Sequence, residues 1–309
     1  MASTVDRVHA RAPGKINVYF RVGGLADDGY HPVASVYQAV SLYEDVWATP
    51  ADGFTLSVTG SVELGAVPRD DTNLALRAAR LLAREIGIED GVHLQIHKTV
   101  PVAGGMGGGS ADAAAALVAC DALWAAGLSH AELMALAAQL GADVPFALMG
   151  GTAVGTGHGD QLNPALAQGR FDWVLAISDE GLSTPAVYAE LDEYRLAAGP
   201  RAEPAVAHPG VRPAVLQALR QGDARRLASA SHNDLDPAAL RLRPPLDDII
   251  NLGLDEGALT AFVSGSGPTI AMLAEDERAA IGLQISLSTQ GHKALHVHGP
   301  VPGARVVAS

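Results

Sequence analysis

Five glycines, Gly104, Gly105, Gly107, Gly108 and Gly109, fall within six positions directly ahead of Ser110 and an alanine-rich stretch with helical spacing. Without a Cβ, successive glycine N–H groups can close on an anion. A helix starting just beyond adds its unpaired amides and the positive end of its dipole. The whole segment, Pro101 to Ala114, reads PVAGGMGGGSADAA, and a flexible loop ahead of a helix would share this composition. It is not a Walker A loop, since no Lys-Ser/Thr pair follows the last glycine. It is also not a dinucleotide fingerprint, since no acidic residue closes a second strand at the needed distance. A glycine-rich run ending in a hydroxyl still suits a triphosphate. Ser110 could bond a phosphate oxygen, ligate Mg2+ or act as the helix N-cap.

Three further places carry reactive side chains. In Ala12-Pro13-Gly14-Lys15-Ile16-Asn17, Lys15 and Asn17 share one face of a strand, because side chains repeat every two residues. Two polar groups aimed one way suit a site, and equally a solvent-facing edge. Asp143, followed by Val144-Pro145, is either a charged group at a site or an ordinary helix cap. Tyr30 and His31 follow Asp27-Asp28-Gly29 in a turn, where they could stack on and hydrogen-bond a heterocycle, or simply cover the core. No second histidine or carboxylate stands at metal-ligand spacing from His31, which argues against zinc.

The elements that must position these groups follow from periodicity. Ile16, Val18, Phe20 and Val22 predict a half-buried strand, and Phe54, Leu56 and Val58 another. Asn73 to Ile86 has helical spacing and Gly87 stops it; Val92, Leu94 and Ile96 then alternate into the glycine-rich loop. After Ser110 a helix stripe runs through Ala113, Leu117, Cys120 and Trp124. Ser129 and Glu132 form a capping box for a helix closed by Gly141. Further on come a strand at Trp173 to Ile177, a surface excursion from Ala197 to Pro213, and helices near Val215 to Arg220 and Leu246 to Leu254. The loop Ser264 to Thr269 then opens a strand at Ile270 to Leu273. This order predicts a two-lobed α+β protein dividing near Gly155 to Asn163, with lobes 1–160 and 161–309.

Composition narrows the ligand. Across 309 residues a net charge of −13, with no Lys/Arg-rich run, argues against a nucleic-acid surface. An anionic ligand would be repelled by the field of the whole protein, so its attraction must be local. Only Lys15, Lys98 and Lys293 are lysines, against eighteen arginines, which draws attention to them. The longest apolar stretch, Ala113 to Leu128, contains Asp121 and is too short to span a bilayer. With no secretory pattern in the first fifteen residues and a single cysteine, Cys120, a cytoplasmic setting is expected.

Taken together, APGKIN near the start, DGYH ahead of Gln38 to Tyr43, GGMGGGSADAA, GADVPF, Asn233-Asp234-Leu235 and SGSGPT resemble the GHMP kinases, in order from about Arg11 to Leu273. The resemblance implies a two-lobed GHMP fold with the active site in the cleft between lobes. It also implies transfer of the ATP γ-phosphoryl group, with Mg2+, to the 2-hydroxyl of a cytidine-diphosphate-linked polyol of the non-mevalonate isoprenoid route. A homoserine- or mevalonate-type kinase, or a non-catalytic sensor on the same fold, are the alternatives. On this carry-over Lys15 and Asp143 flank the hydroxyl, with Asp143 mainly orienting it and accepting its proton late. Gly104 to Ser110 hold the triphosphate, Ser110 being the metal candidate, and Asn73, Leu74, Lys98 and Pro101 belong to the nucleotide side. Asn17, Tyr30 and His31 hold the cytidine end, where Tyr188, after Ser183-Thr184-Pro185, would sandwich cytosine against Tyr30. Two departures stand out. The chain reads Gly23-Gly24-Leu25-Ala26 where the family usually has basic residues, and Ala111 replaces a second loop serine.

Overall fold

Two long antiparallel strands, β1 (Val8–Val22) and β2 (Val33–Ala51), form the frame on which the reactive residues are mounted. The computed structural model describes residues 6–178, 180–199 and 205–308. After β2 come β3 (Thr55–Gly60), α1 (Leu74–Ile86), β4 (Gly91–Lys98), α2 (Gly108–Leu123), α3 (His130–Leu140), α4 (Val144–Met149), β5 (Thr152–Thr156), β6 (Gln161–Pro164) and β7 (Phe171–Ile177). The remainder is α5 (Thr184–Ala198), α6 (Pro213–Gln221), α7 (Ala224–Ala230), β8 (His232–Asn233), α8 (Asp236–Leu242), α9 (Pro245–Asp255), β9 (Thr260–Val263), β10 (Ile270–Leu273), α10 (Glu277–Thr289), β11 (Lys293–Gly299) and β12 (Arg305–Val306).

Among the described residues these strands make two sheets. The larger has the order β12-β1-β2-β4-β3, with the β5–β6 hairpin continuing from β2 and β8 pairing with β1; the smaller is β11-β7-β10-β9. The lobe division expected at 160/161 falls inside the β5–β6 hairpin. β6, β8 and β12 lie beyond it and pair with the larger sheet, which therefore draws strands from both halves of the chain. Most of the expected excursion at 197–213 lies between α5 and α6, and its residues 200–204 lie outside the described residues.

Local chemistry accounts for the helix ends. The Asn73 side chain accepts the Ala75 N–H to start α1, and Gly87, at φ 69°, returns its N–H to Ala83 O to end it. Ser129 and Glu132 form the capping box of α3. β1 departs from its half-buried expectation and is buried along nearly its whole length. One cluster joins Ala10 and Ala12 to α1, α2 and α3, and another joins Ile16 and Val18 to the smaller sheet. No helix among the described residues is long and apolar enough to cross a membrane.

Trp173 of β7 ties the two sheets together. It is fully buried, its indole N–H donates to Gln38 Oε1 of β2 at 3.0 Å, and it meets Phe262 edge-on with centroids 5.9 Å apart. Trp173→Ala should lower the unfolding free energy by about 3–5 kcal/mol, the usual result of emptying a large aromatic site. Urea titration checks this; a loss under about 1 kcal/mol would show that the sheets do not depend on this residue.

Candidate active site

The glycine-rich loop is fastened to β1 by its backbone. The β1–β2 register shifts between Pro13 and Gly14, and just past that point the Lys15 N–H donates to Met106 O at 3.0 Å. The Met106 side chain is buried in the inter-sheet core, so the middle of the loop is anchored while the glycines on either side stay bare. Gly105 and Gly107 have φ of 76° and 70°. A Cβ on Gly105 would collide with the Ser264 carbonyl of the facing loop, so glycine is required there for the two loops to touch. Helix α2 starts at Gly108, with Gly107 as its cap, and its first helical bond runs from Ala111 N to Gly107 O. The amides of Gly108, Gly109 and Ser110 are thus the open end of the helix. Ser110, expected among other roles as the N-cap, instead stands in the first turn, because the left-handed Gly107 begins the helix earlier.

Lys15 and Asp143 meet beside this loop. Lys15 Nζ lies 3.9 Å from Asp143 Oδ2, and a Cβ on Gly107 would sit 3.4 Å from Lys15 Cγ and 3.7 Å from Asp143 Oδ2. Lys15 and Asn17 are 8% and 1% exposed, which removes the solvent-edge reading. Lys15 Nζ donates to Asn17 Oδ1 at 2.7 Å, and Asn17 Nδ2 donates to Ser35 Oγ at 2.8 Å, so the ammonium is aimed by a buried chain of polar groups. Asp143 stands at the N-cap position of α4 but its side chain makes no capping bond, leaving the carboxylate to the cleft. Burial and then the Asp143 charge push the nearby Tyr37 and Tyr188 hydroxyls upward in pKa, so both stay neutral donors.

Two cavities share the loop as a wall. One, of about 410 Å³, is bounded by Asn73, Leu74, Lys98, Pro101 and the segment Gly104 to Gly109. The other, of about 430 Å³, contains Lys15, Asn17, Ser110, Asp143 and Tyr188. Gly105 and Gly107 border both. A larger groove of about 760 Å³, lined by Arg77, Arg80 and Arg84 of α1, lies elsewhere.

Each aromatic residue of the expected sandwich has a ring partner of its own. Tyr30 stacks on His158 with centroids 5.0 Å apart, and Tyr188 leans on His31 at 5.2 Å. His31 Nε2 lies 3.0 Å from Asp192 Oδ1. Sequence reasoning missed His158, Tyr37, Thr184 and Ser266, all of which border the second cavity. Ser266 lies in the SGSGPT motif and Thr184 in Ser183-Thr184-Pro185, both noted for the motif rather than for these side chains, and His158 stands between two glycines in a turn segment.

Lys98 borders the first cavity, and its ammonium is engaged by two buried carboxylates. It lies 2.5 Å from Glu44 Oε1 and 2.6 Å from Asp112 Oδ2, beneath the loop, with a Cβ on Gly108 reaching within 3.3 Å of Lys98 Nζ. Glu44 Oε2 also accepts the Thr99 N–H at 3.0 Å, whereas Asp112 Oδ1 has no partner. Two carboxylates around one ammonium leave an excess negative charge in a dry site. Burial and the Asp112 charge outweigh Lys98 and push Glu44 up to about 8. A carboxyl raised above its ordinary 4.5 contributes stability that is full below that value and is lost as pH rises through about 8. The melting temperature should therefore fall between about pH 5 and pH 8. Asp112→Asn, which keeps an acceptor for Lys98 and removes the like charge, should flatten that decline in calorimetric scans. A wild-type profile already flat over this range would contradict the charge balance.

With this geometry established, two family models match the chain, described as GHMP kinases N terminal domain over residues 73–151 and GHMP kinases C terminal over residues 215–292. A curated 4-diphosphocytidyl-2-C-methyl-D-erythritol kinase of Clavibacter michiganensis subsp. michiganensis is 57% identical over 306 residues, covering 99% of this chain and 98% of that protein. A crystal structure of 4-(cytidine 5'-diphospho)-2C-methyl-D-erythritol kinase superposes with a TM-score of 0.75 at 30% identity, covering 94% of this chain and 98% of that one. A homoserine kinase from Cytophaga hutchinsonii superposes with a TM-score of 0.70 over 99% of both chains, but at 19% identity it speaks to the fold alone.

Proposed function

The chain belongs to the GHMP kinases, and from that premise we infer that it transfers the γ-phosphoryl group of ATP to the 2-hydroxyl of 4-diphosphocytidyl-2-C-methyl-D-erythritol, in the non-mevalonate route to isoprenoid precursors. One observation carries the reading: two cavities meet at Gly105 and Gly107, at the spot where Lys15 and Asp143 lie 3.9 Å apart. ATP occupies the side of Asn73, Leu74 and Pro101, and the alcohol occupies the side of Asn17 and Tyr188.

Phosphoryl transfer has a loose transition state, so the protein's part is alignment and charge neutralisation. The open amides of Gly108, Gly109 and Ser110 receive phosphate oxygens, and Lys15, held by Asn17, sets its charge against the transferred group. Asp143 orients the hydroxyl and takes its proton as the bond to phosphorus forms. Mg2+ fits this donor set only when it arrives with the nucleotide. Ser110 and Asp143 border one cavity, no group of three metal-ligating side chains stands among the described residues, and Mg2+ usually keeps waters and phosphates as ligands. Bound there by Ser110, it would offset charge on the polyphosphate. At the cytidine end Tyr30, His31 and Tyr188 take the base. Arg195, donating to Val22 O at 2.7 Å and Gly23 O at 2.9 Å, braces the segment that lacks basic side chains. A cytoplasmic setting goes with this reading, since the chain's one cysteine, Cys120, is buried and free.

A ³¹P-detected assay with ATP, Mg2+ and the cytidylyl alcohol tests the activity, homoserine and mevalonate serving as competing acceptors. Phosphorylation of either rival in preference would move the assignment within the family. Asp143→Asn should reduce kcat by about 10²- to 10⁴-fold with little change in KM for ATP; a kcat near that of the wild type would remove Asp143 from proton transfer.

A further inference from the structure

The tip of the β5–β6 hairpin is shaped to hold one side chain still. Gly157 and Gly159 flank His158 with φ of 70° and 94°, conformations that residues with a Cβ rarely adopt. The Gly159 N–H donates to Thr156 O at 3.0 Å, and the Val33 N–H of β2 donates to Gly157 O at 2.8 Å. A Cβ on Gly155 or Gly159 would run into Tyr37, so the hairpin lies flush on a tyrosine that itself borders the acceptor cavity. His158 extends from that fixed turn onto the wall shared with Lys15, Asp143 and Tyr188.

There it meets a less constrained element. Tyr30 is 63% exposed and sits in the turn after β1, beside Gly29 at φ 82°. The His158 and Tyr30 rings stack with their planes 26° apart, and His158 Nε2 lies 3.2 Å from Asp28 Oδ2. The other Asp28 oxygen accepts the Tyr30 N–H at 2.9 Å. The tyrosine is therefore held through its ring by His158 and through its backbone by Asp28, and Asp28 joins the two supports. Centroids 5.0 Å apart leave no space for a third ring between them, so a base stacking on Tyr30 uses its outer face.

We propose that His158 is a positioning residue for the cytidylyl end of the substrate, bracing Tyr30 so that its outer face is presented to the cytosine before binding. The inference rests on the reading that Tyr30 stacks on that base. Its physical content is preorganisation: a half-exposed ring on a turn that is ordered in advance need not be ordered by the ligand.

Steady-state kinetics with ATP and the cytidylyl alcohol, together with calorimetric titration of CDP, test it. His158→Ala should raise KM for the alcohol, and Kd for CDP, about three- to tenfold, the range an aromatic pair supplies. KM for ATP should stay within about twofold and kcat should fall far less than kcat/KM. His158→Phe, which keeps the stack and drops the ring nitrogens, should recover most of the loss. In a Tyr30→Ala background the His158→Ala effect should disappear, because the support has nothing left to hold. The proposal is overturned if His158→Ala leaves both constants at their wild-type values while Tyr30→Ala raises them. It is also overturned if the His158→Ala effect persists in full without Tyr30, since His158 would then touch the substrate itself. If Tyr30→Ala leaves CDP binding unchanged, the stacking reading fails and the proposal fails with it.

Discussion

A single main-chain hydrogen bond, from the Lys15 N–H to Met106 O, sets the distance between the only reactive lysine of β1 and the loop that faces it. Around that bond everything else is arranged to keep the loop bare. Met106 sinks its side chain into the inter-sheet core, so the loop needs no other side chain to anchor it. Gly105 approaches the Ser264 carbonyl so closely that no Cβ fits, and Gly107 turns left-handed to open helix α2 beside Lys15 and Asp143. The wall between the two cavities is consequently backbone, and backbone amides are what a polyphosphate meets.

Charge is handled locally. On a chain of net charge −13, attraction for an anion depends on short-range donors rather than on the field of the protein. Two of the three lysines are buried at this loop, and they do different work. Lys15 is held by a neutral amide, Asn17, and keeps its charge available to the cleft. Lys98 is enclosed by Glu44 and Asp112, and its charge is used up underneath the loop, where it compensates buried carboxylates. Removing Lys98 would leave two carboxylates facing each other in a dry site, so the ammonium is what holds β2, β4 and α2 in fixed relation.

Much of this could be read from the chain, and the parts that could not have physical reasons. Helix α1 announced itself through the apolar spacing of Asn73 to Ile86 and the stop at Gly87, because periodicity and a glycine cap are local signals. The proximity of the PGKIN strand to the glycine-rich loop was implied by family resemblance, and the main-chain bond that joins them, beside a register shift at Pro13/Gly14, leaves no composition signal. Strand β2, the longest in the fold, went unrecognised because its first half is buried on both faces and so shows no alternation. Lys98 was expected at the nucleotide. Its partners Glu44 and Asp112 are 54 and 14 residues away in sequence, and nothing local connects them. The ring partners of Tyr30, in a turn, and of Tyr188, in helix α5, were likewise illegible, because the contacts with His158 and His31 are tertiary.

Hydrogen exchange of individual amides, with and without a non-hydrolysable ATP analogue and Mg2+, bears most directly on the claim that main-chain donors of this loop hold the polyphosphate. The account predicts that the analogue slows exchange at Gly104 to Ser110, most strongly at Gly108, Gly109 and Ser110. Unchanged exchange across that segment, with new protection around the Arg77, Arg80 and Arg84 groove instead, would contradict it.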